Sequence, residues 1–243
     1  MRVRIRFTKL GKVRFTSHRD VARIWERTLR RAALPIALTE GFSPRPKMHF
    51  GLALSTGHES LGEYLDVDLR EPEGAQIDVA TLPELLSPLL PVGMDVEAAA
   101  VIERSLPSLQ EAVTACRWRI EVPGLDVAER QAAVEKVLAA ATLPVSRERK
   151  GKTVVDDIRP AILELVVGAD GALETELATQ PRGVRPQELV NAIADVLAPG
   201  PDRRALDEGH VCRTHQWIVL DGARQEPLPL DATRAPHVHA RAS

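Results

Sequence analysis

The sequence predicts an α+β protein of two successive units, each in the order β-α-β-β-α-β with antiparallel sheets. Three observations lead there. Short stretches alternate strictly between polar and apolar residues, the period of a strand with one buried face. Fewer, longer stretches carry apolar residues at three- and four-residue spacing behind a capping residue, the pattern of amphipathic helices. The same succession of patterns then recurs after residue 112. A chain of 243 residues, 44% apolar, is long enough for two domains of ordinary size, and with aromatics at 3% their cores have to be built from Ala, Val, Leu and Ile.

In the first unit Arg2-Val3-Arg4-Ile5-Arg6-Phe7 alternates, which reads as a strand with three arginines on its outer face. Leu10-Gly11-Lys12 turns the chain and Val13-Arg14-Phe15 resumes the alternation. Ser17 and Asp20 make an S-x-x-D capping box before a helix over 17–34 that stops at Pro35. Val21, Ile24, Trp25, Leu29 and Ala32 face the core, and Arg19, Arg23, Arg27 and Arg30 line the opposite side. Gly41-Phe42-Ser43-Pro44-Arg45-Pro46-Lys47 is a loop punctuated by Gly and two Pro. Strands are expected at 48–54, 63–69 and 94–102, a turn at 57–62 and a helix over 77–90, and 103–112 reads as a linker.

In the second unit a strand at 115–122 leads to a helix over 126–141 capped by Asp126. Strands at 145–149 and 153–158 flank Lys150-Gly151-Lys152, and strands at 162–167 and 173–178 flank Ala169-Asp170-Gly171, whose Asp-Gly favours a tight hairpin turn. A helix over 186–197 starts at Pro186, and 211–220 is the last strand. This succession is that of ferredoxin-like folds. The domains so predicted are a basic N-terminal ferredoxin-like domain at 1–104, a C-terminal ferredoxin-like domain at 113–220, and a disordered tail at 221–243 rich in Pro, Ala, Arg and His.

The charges are segregated. The net charge is −2, yet residues 1–50 hold thirteen Lys/Arg against three Asp/Glu, a formal +10, and residues 51–115 hold two against twelve, a formal −10. A concentrated positive surface attracts phosphates whatever the total charge. Arginine offers five donors in a rigid fork suited to phosphate oxygens, so the arginines of the first helix, with Arg4 and Arg6 of the neighbouring strand, are candidate backbone ligands. Against this stands the ordinary reading of a charge run as a solvated face, with Glu26 placed to pair with Arg30. His18, at the first helical position, could serve as a general base on a ribose hydroxyl, contact a base or phosphate, or simply pack there. Phe42, Arg45 and Lys47 offer a ring and two cations on a stiffened loop, the means by which single strands are held, unless Phe42 plugs the core beneath. Arg149, Lys150 and Lys152 form a second basic hairpin tip beside Arg147. His237-Val238-His239 is a weak metal-binding pattern, and Glu63, Asp66 and Asp68 read as a polar strand face.

Several classes fall away. The two cysteines, Cys116 and Cys212, lack clustered spacing, so cysteine alone builds neither a zinc site nor an iron–sulfur cluster, and two buried thiols are expected over the alternative of a single disulfide between them. There is no Walker loop, G-x-G-x-x-G, H-E-x-x-H or G-x-S-x-G. No apolar stretch approaches the ~18–20 residues of a membrane span, and the charged N-terminus does not read as a signal peptide. The chain is expected to be cytoplasmic, without membrane partner, metal or cofactor.

Phe15-Thr16-Ser17-His18 with Asp20, then Arg27, Arg30-Arg31-Ala32, Gly41-Phe42-Ser43-Pro44 with Pro46-Lys47, and Gly62-Glu63-Tyr64-Leu65-Asp66 resemble the radical-SAM-linked protein family, a domain found fused to or encoded beside cobalamin-binding radical SAM proteins. The resemblance is dense over 1–70, returns at Asp157-Ile158-Arg159-Pro160 and does not cover the tail; Arg45 and Ser43 stand where the family often has His and Asn. It implies a companion of a radical SAM enzyme, since this chain lacks the cysteine triad of such enzymes. The element order is also similar, at the level of fold alone, to that of RAMP endoribonucleases. The leading expectation is a non-catalytic RNA-binding accessory protein, with tRNA or rRNA and a radical SAM protein as partners. The rivals are a metal-independent endoribonuclease using His18 and a protein–protein adaptor.

Overall fold

The computed structural model describes residues 1–149, 151–200 and 203–228. The strands are β1 (Arg2–Lys9), β2 (Met48–Phe50), β3 (Glu59–Asp68), β4 (Val96–Ile102), β5 (Val113–Ile120), β6 (Pro144–Arg149), β7 (Lys152–Asp157), β8 (Ile162–Val167), β9 (Leu173–Ala178), β10 (Val211–Leu220) and β11 (Ala223–Gln225). The helices are α1 (His18–Arg31), α2 (Leu82–Leu86), α3 (Leu109–Ala112), α4 (Val127–Ala139) and α5 (Pro186–Leu197). The chain divides into two compact units. Among the described residues unit 1 comprises Met1–Thr56, Ser60–Ala112 and those from Val219 onward, and unit 2 comprises Gly57–Glu59 and those of Val113–Ile218.

Unit 1 is a mixed α+β unit whose strands pair antiparallel in the order β4-β1-β3-β2. Val3, Ile5 and Phe7 project from one face of β1 and join Val21, Trp25 and Leu29 of α1 in the core. Phe7 meets Trp25 edge to face, with ring centroids 4.9 Å apart. Helix α1 starts where the sequence predicts: the Ser17 hydroxyl accepts from the Asp20 N–H and donates to the Asp20 carboxylate. It ends earlier than Pro35. Leu34 N–H reaches the Leu29 carbonyl and Ala33 N–H the Arg30 carbonyl, with Ala33 at φ +53, so a Schellman turn closes the helix.

The other face of β1 departs from expectation. Arg4 and Arg6 do not stand on an open outer face; each is 3% exposed. The register sets Arg2 opposite Asp68, Arg4 opposite Asp66 and Arg6 opposite Tyr64. Arg4 forks onto Asp66 at 2.8 and 2.9 Å, and Arg6 holds Glu97, Glu226 and the Tyr64 hydroxyl. Alternation reveals that a strand has two unlike faces, but not that the polar one is covered. Here the acids of β3 lie directly across from the bases of β1, and the ladder they form is closed by residues 226–227.

Further differences are local. Val13-Arg14-Phe15 belongs to a 3-10 turn, Gly11–Phe15, instead of a strand. The helix expected over 77–90 is only α2, flanked by 3-10 turns at Val79–Thr81 and Ser87–Leu89. Pro88 has no N–H and its ring crowds the preceding turn, so an α-helix cannot run through it. Strand β2 is shorter than expected and β3 begins four residues earlier. The stretch expected as linker contains α3, which buries Leu109. Of the tail expected to lack structure, Ala223–Gln225 is a strand and residues 226–227 contact β1, while 229–243 lie outside the described residues.

Unit 2 repeats the order with an insertion. Its main sheet runs β10-β5-β9-β8, antiparallel, and the β6–β7 hairpin is inserted between α4 and β8. Asp126 and Glu129 complete the capping box of α4, with N–H···O distances of 2.8 Å in both directions. Ala133, Val134 and Val137 of α4 and Leu189, Val190 and Ile193 of α5 are buried, and α4 packs against α5 and β8. Cys116 and Cys212 are buried free thiols. No helix among the described residues is long and apolar enough to cross a membrane.

Candidate nucleic-acid interface

Burying Val21, Trp25 and Leu29 forces the opposite side of α1 outward, and Arg19, Arg23, Arg27, Arg30 and Arg31 are all exposed. At 100° per residue the first four fall within an arc of about 80°, and Arg19 to Arg31 spans about 18 Å along the axis. Arg23 meets Asp20 at 3.3 Å on the surface, where such pairs contribute little. Among the described residues Arg19, Arg27, Arg30 and Arg31 form no ion pair, and the pairing of Glu26 with Arg30 is not made.

The loop after α1 is a closed pin. Thr39 N–H donates to the Arg45 carbonyl at 2.8 Å, Arg45 N–H to the Thr39 hydroxyl at 3.0 Å, and Lys47 N–H to the Ala37 carbonyl at 2.8 Å. Its base is fastened to β3 through Ala37 N–H to the Asp68 carbonyl and Asp68 N–H to the Lys47 carbonyl. Phe42 sits at the tip, fully exposed, so it does not plug the core. Arg45 is also exposed, Lys47 is half-buried, and neither forms an ion pair among the described residues. Because Ile36 pairs with Leu69 soon after α1 ends, the last arginines and the base of the pin share one end of the unit 1 sheet.

At the other end of α1, His18 is exposed with its ring edge-on to Phe50, centroids 5.2 Å apart. It borders a small cavity of about 20 Å³, room for one water, lined also by Phe7, Lys9, Val21 and Glu63. Lys9 is buried and donates from Nζ to the carbonyls of Arg14 and Thr16 at 3.0 and 3.1 Å. These bonds hold the turn that presents Phe15. That ring is 62% exposed and lies under the Arg14 guanidinium, Cζ to centroid 4.8 Å. Phe15 thus stands as an exposed ring at the end of a 3-10 turn.

The structure therefore brings His18, Arg19, Arg23, Arg27, Arg30, Phe42, Arg45 and Lys47 onto the surface of unit 1 and withdraws Arg4 and Arg6. The second basic tip lies in unit 2. There Arg149 pairs with Lys152 in register, Lys152 is exposed, and Lys150 lies outside the described residues. Arg147 is engaged by Asp156 at 2.5 Å, and Asp156 also meets Arg182 at 2.9 Å. The hydrogen bond from Arg147 and the two nearby guanidinium charges hold the Asp156 carboxyl below its ordinary value. Asp66 and Asp68 are committed to Arg4 and Arg2. Among the described residues no cluster of three or more His, Cys, Asp or Glu could hold a metal ion, and His237-Val238-His239 lies outside them.

The family described as "Uncharacterized protein conserved in bacteria (DUF2344)" matches residues 2–186, more than half of the sequence. The chain belongs to the DUF2344 family. The DUF2344 match takes in α1, the 39–47 pin and the β6–β7 hairpin, and reaches the first residue of α5. No curated protein matches the sequence.

Proposed function

We propose that this DUF2344 protein is an RNA-binding accessory protein that works beside a radical SAM enzyme in RNA modification or processing. The observation that carries the RNA reading is the stripe of exposed arginines on α1, most of them without acidic partners among the described residues, together with the fully exposed ring of Phe42 on a pin that also carries Arg45. Guanidinium groups at helical spacing supply a track for phosphates, and an exposed ring supplies a sequence-tolerant stacking surface. The strand orders β4-β1-β3-β2 and β10-β5-β9-β8 support reading both units as ferredoxin-like. The radical SAM partnership rests on the sequence resemblance alone, dense over residues 1–70 and returning at 157–160.

A fluorescent single-stranded RNA titrated at several salt concentrations tests the binding. With about six phosphates neutralised by Arg19, Arg23, Arg27, Arg30, Arg45 and Lys47, log K falls against log salt with a slope near −4. A salt-insensitive affinity, or no binding at low salt, defeats the proposal. His18 has no hydrogen-bonded carboxylate beside its ring among the described residues, so it is read as a ligand contact. RNA cleavage by the wild type that disappears in His18→Ala would replace this reading with the endoribonuclease. Recovery of a radical SAM protein with the chain after nuclease treatment tests the partnership.

A further inference from the structure

On the sheet face of unit 1 away from α1, three hydrogen-bond donors converge on residues 226–227. Arg6 Nη1 meets Glu226 Oε1 at 2.7 Å, the Tyr64 hydroxyl donates to the same oxygen at 3.4 Å, and Arg4 Nη1 donates to the Pro227 carbonyl at 3.3 Å. All three donors are rigid and almost wholly buried: Arg4 and Arg6 are 3% exposed and Tyr64 1%. Each is oriented from behind. Asp66 takes the fork of Arg4, Glu97 takes Arg6 Nε at 3.0 Å, and Arg6 Nη1 also donates to the Tyr64 oxygen at 2.9 Å. Gly62 lets the Arg6 guanidinium lie against the backbone, since a Cβ there would stand 3.2 Å from Nη2.

Glu97 already compensates the charge of Arg6, so Glu226 is a second carboxylate on one guanidinium. It is supplied by a short segment that follows β11, whereas the donors belong to β1 and β3. A carboxylate satisfies two of the donors and needs a neighbouring carbonyl for the third. A phosphate group presents three oxygens and suits all of them. We propose that Arg4, Arg6 and Tyr64 form an anion seat for a small phosphate-bearing ligand, and that Glu226 occupies this seat as an intramolecular stand-in.

Apparent affinity for an external anion is then the intrinsic affinity reduced by the fraction of time the seat is open. A seat closed 90–99% of the time masks about 10- to 100-fold of affinity. Calorimetric titration of the full chain with inorganic phosphate at pH 8 reads this directly. Glu226→Ala binds phosphate at least tenfold more tightly than wild type, and adding Tyr64→Phe or Arg6→Lys removes the gain. An unchanged phosphate affinity in folded Glu226→Ala, or a gain that survives both second substitutions, overturns the proposal. If Glu226→Ala does not fold, the near-isosteric Glu226→Gln carries the measurement. Failure of Glu226→Gln to gain affinity, or to fold, makes the carboxylate a structural counter-ion and equally ends the proposal. Because the seat lies on the face of β1 opposite α1, the result is independent of the RNA titration.

Discussion

Asp68 stands at the margin of the buried ladder, where its carboxylate meets Arg2 Nε at 2.7 Å. Burial alone would raise its pKa, but the hydrogen bond and charge of Arg2, with His49 and Arg104 nearby, outweigh it and hold the group below its ordinary value. A carboxyl whose folded pKa lies below the unfolded one adds stability above the unfolded pKa, about 4, and loses that contribution as pH falls through the folded pKa. Urea unfolding between about pH 2 and pH 6 is therefore expected to show a shallower acid dependence in Asp68→Asn than in wild type. Tyr64 behaves oppositely. Burial first, then the carboxylates of Glu226 and Glu63, outweigh Arg6 and push its hydroxyl far above the usual range, so it remains a donor at any physiological pH. Gly93 marks a different constraint. It sits at φ +93, and a Cβ there would fall 2.1 Å from the Leu10 carbonyl oxygen, while its own carbonyl accepts from Leu10 N–H. Gly93→Ala is expected to lower the unfolding free energy by at least about 2 kcal/mol, read from the midpoint of urea denaturation.

At the scale of elements, α1 is closed by a Schellman turn that places Ala33, a residue with a Cβ, in the left-handed region. Replacing it with the residue that pays no steric penalty there is expected to stabilise the protein. Ala33→Gly should raise the unfolding midpoint, with a gain up to about 1 kcal/mol. The arginine face of the same helix and the pin that follows make a prediction that separates binding from folding. Phe42→Ala removes a fully exposed ring, so stability changes by less than about 0.5 kcal/mol, whereas single-stranded RNA affinity falls by about 1–3 kcal/mol. Arg27→Glu on α1 should likewise leave the unfolding midpoint near wild type and make the salt slope shallower by about 0.7 for the lost phosphate. Equal RNA affinity in both variants would separate the exposed stripe from function.

For the whole molecule the distribution of charge matters more than its sum. A chain with pI ≈ 6.4 is net negative at pH 8, and uniformly spread charge would repel a polyanion. Binding of single-stranded RNA at pH 8 and low salt, lost on reversing Arg19, Arg23 and Arg27 together, is the expected result. Much of the architecture was legible in sequence, because caps and alternation are local. Ser17 and Asp126 mark helix starts that the structure confirms, and the hairpin strands flanking Asp170-Gly171 fall where the pattern places them. The short α2 was less legible, since Leu82–Leu86 and its 3-10 flanks share one apolar periodicity that only the prolines at 83 and 88 interrupt.

The exposed part of the candidate site was legible for the same local reason: once Val21, Trp25 and Leu29 are assigned to the core, helical geometry sends Arg19, Arg23, Arg27 and Arg30 outward. The fate of Arg4, Arg6 and Phe42 was not. Each depends on residues far away in the chain, with Asp66 facing Arg4, Glu226 facing Arg6, and the 37–47 pin clamped to Asp68 so that Phe42 is carried clear of the core. The sequence by itself determined the capped starts of α1 and α4, the strands that flank Asp170-Gly171, and that positive charge is concentrated at one end. Only the tertiary structure decided which of those charges meet solvent, because burial is a property of what packs against a face, and no local pattern records what that will be.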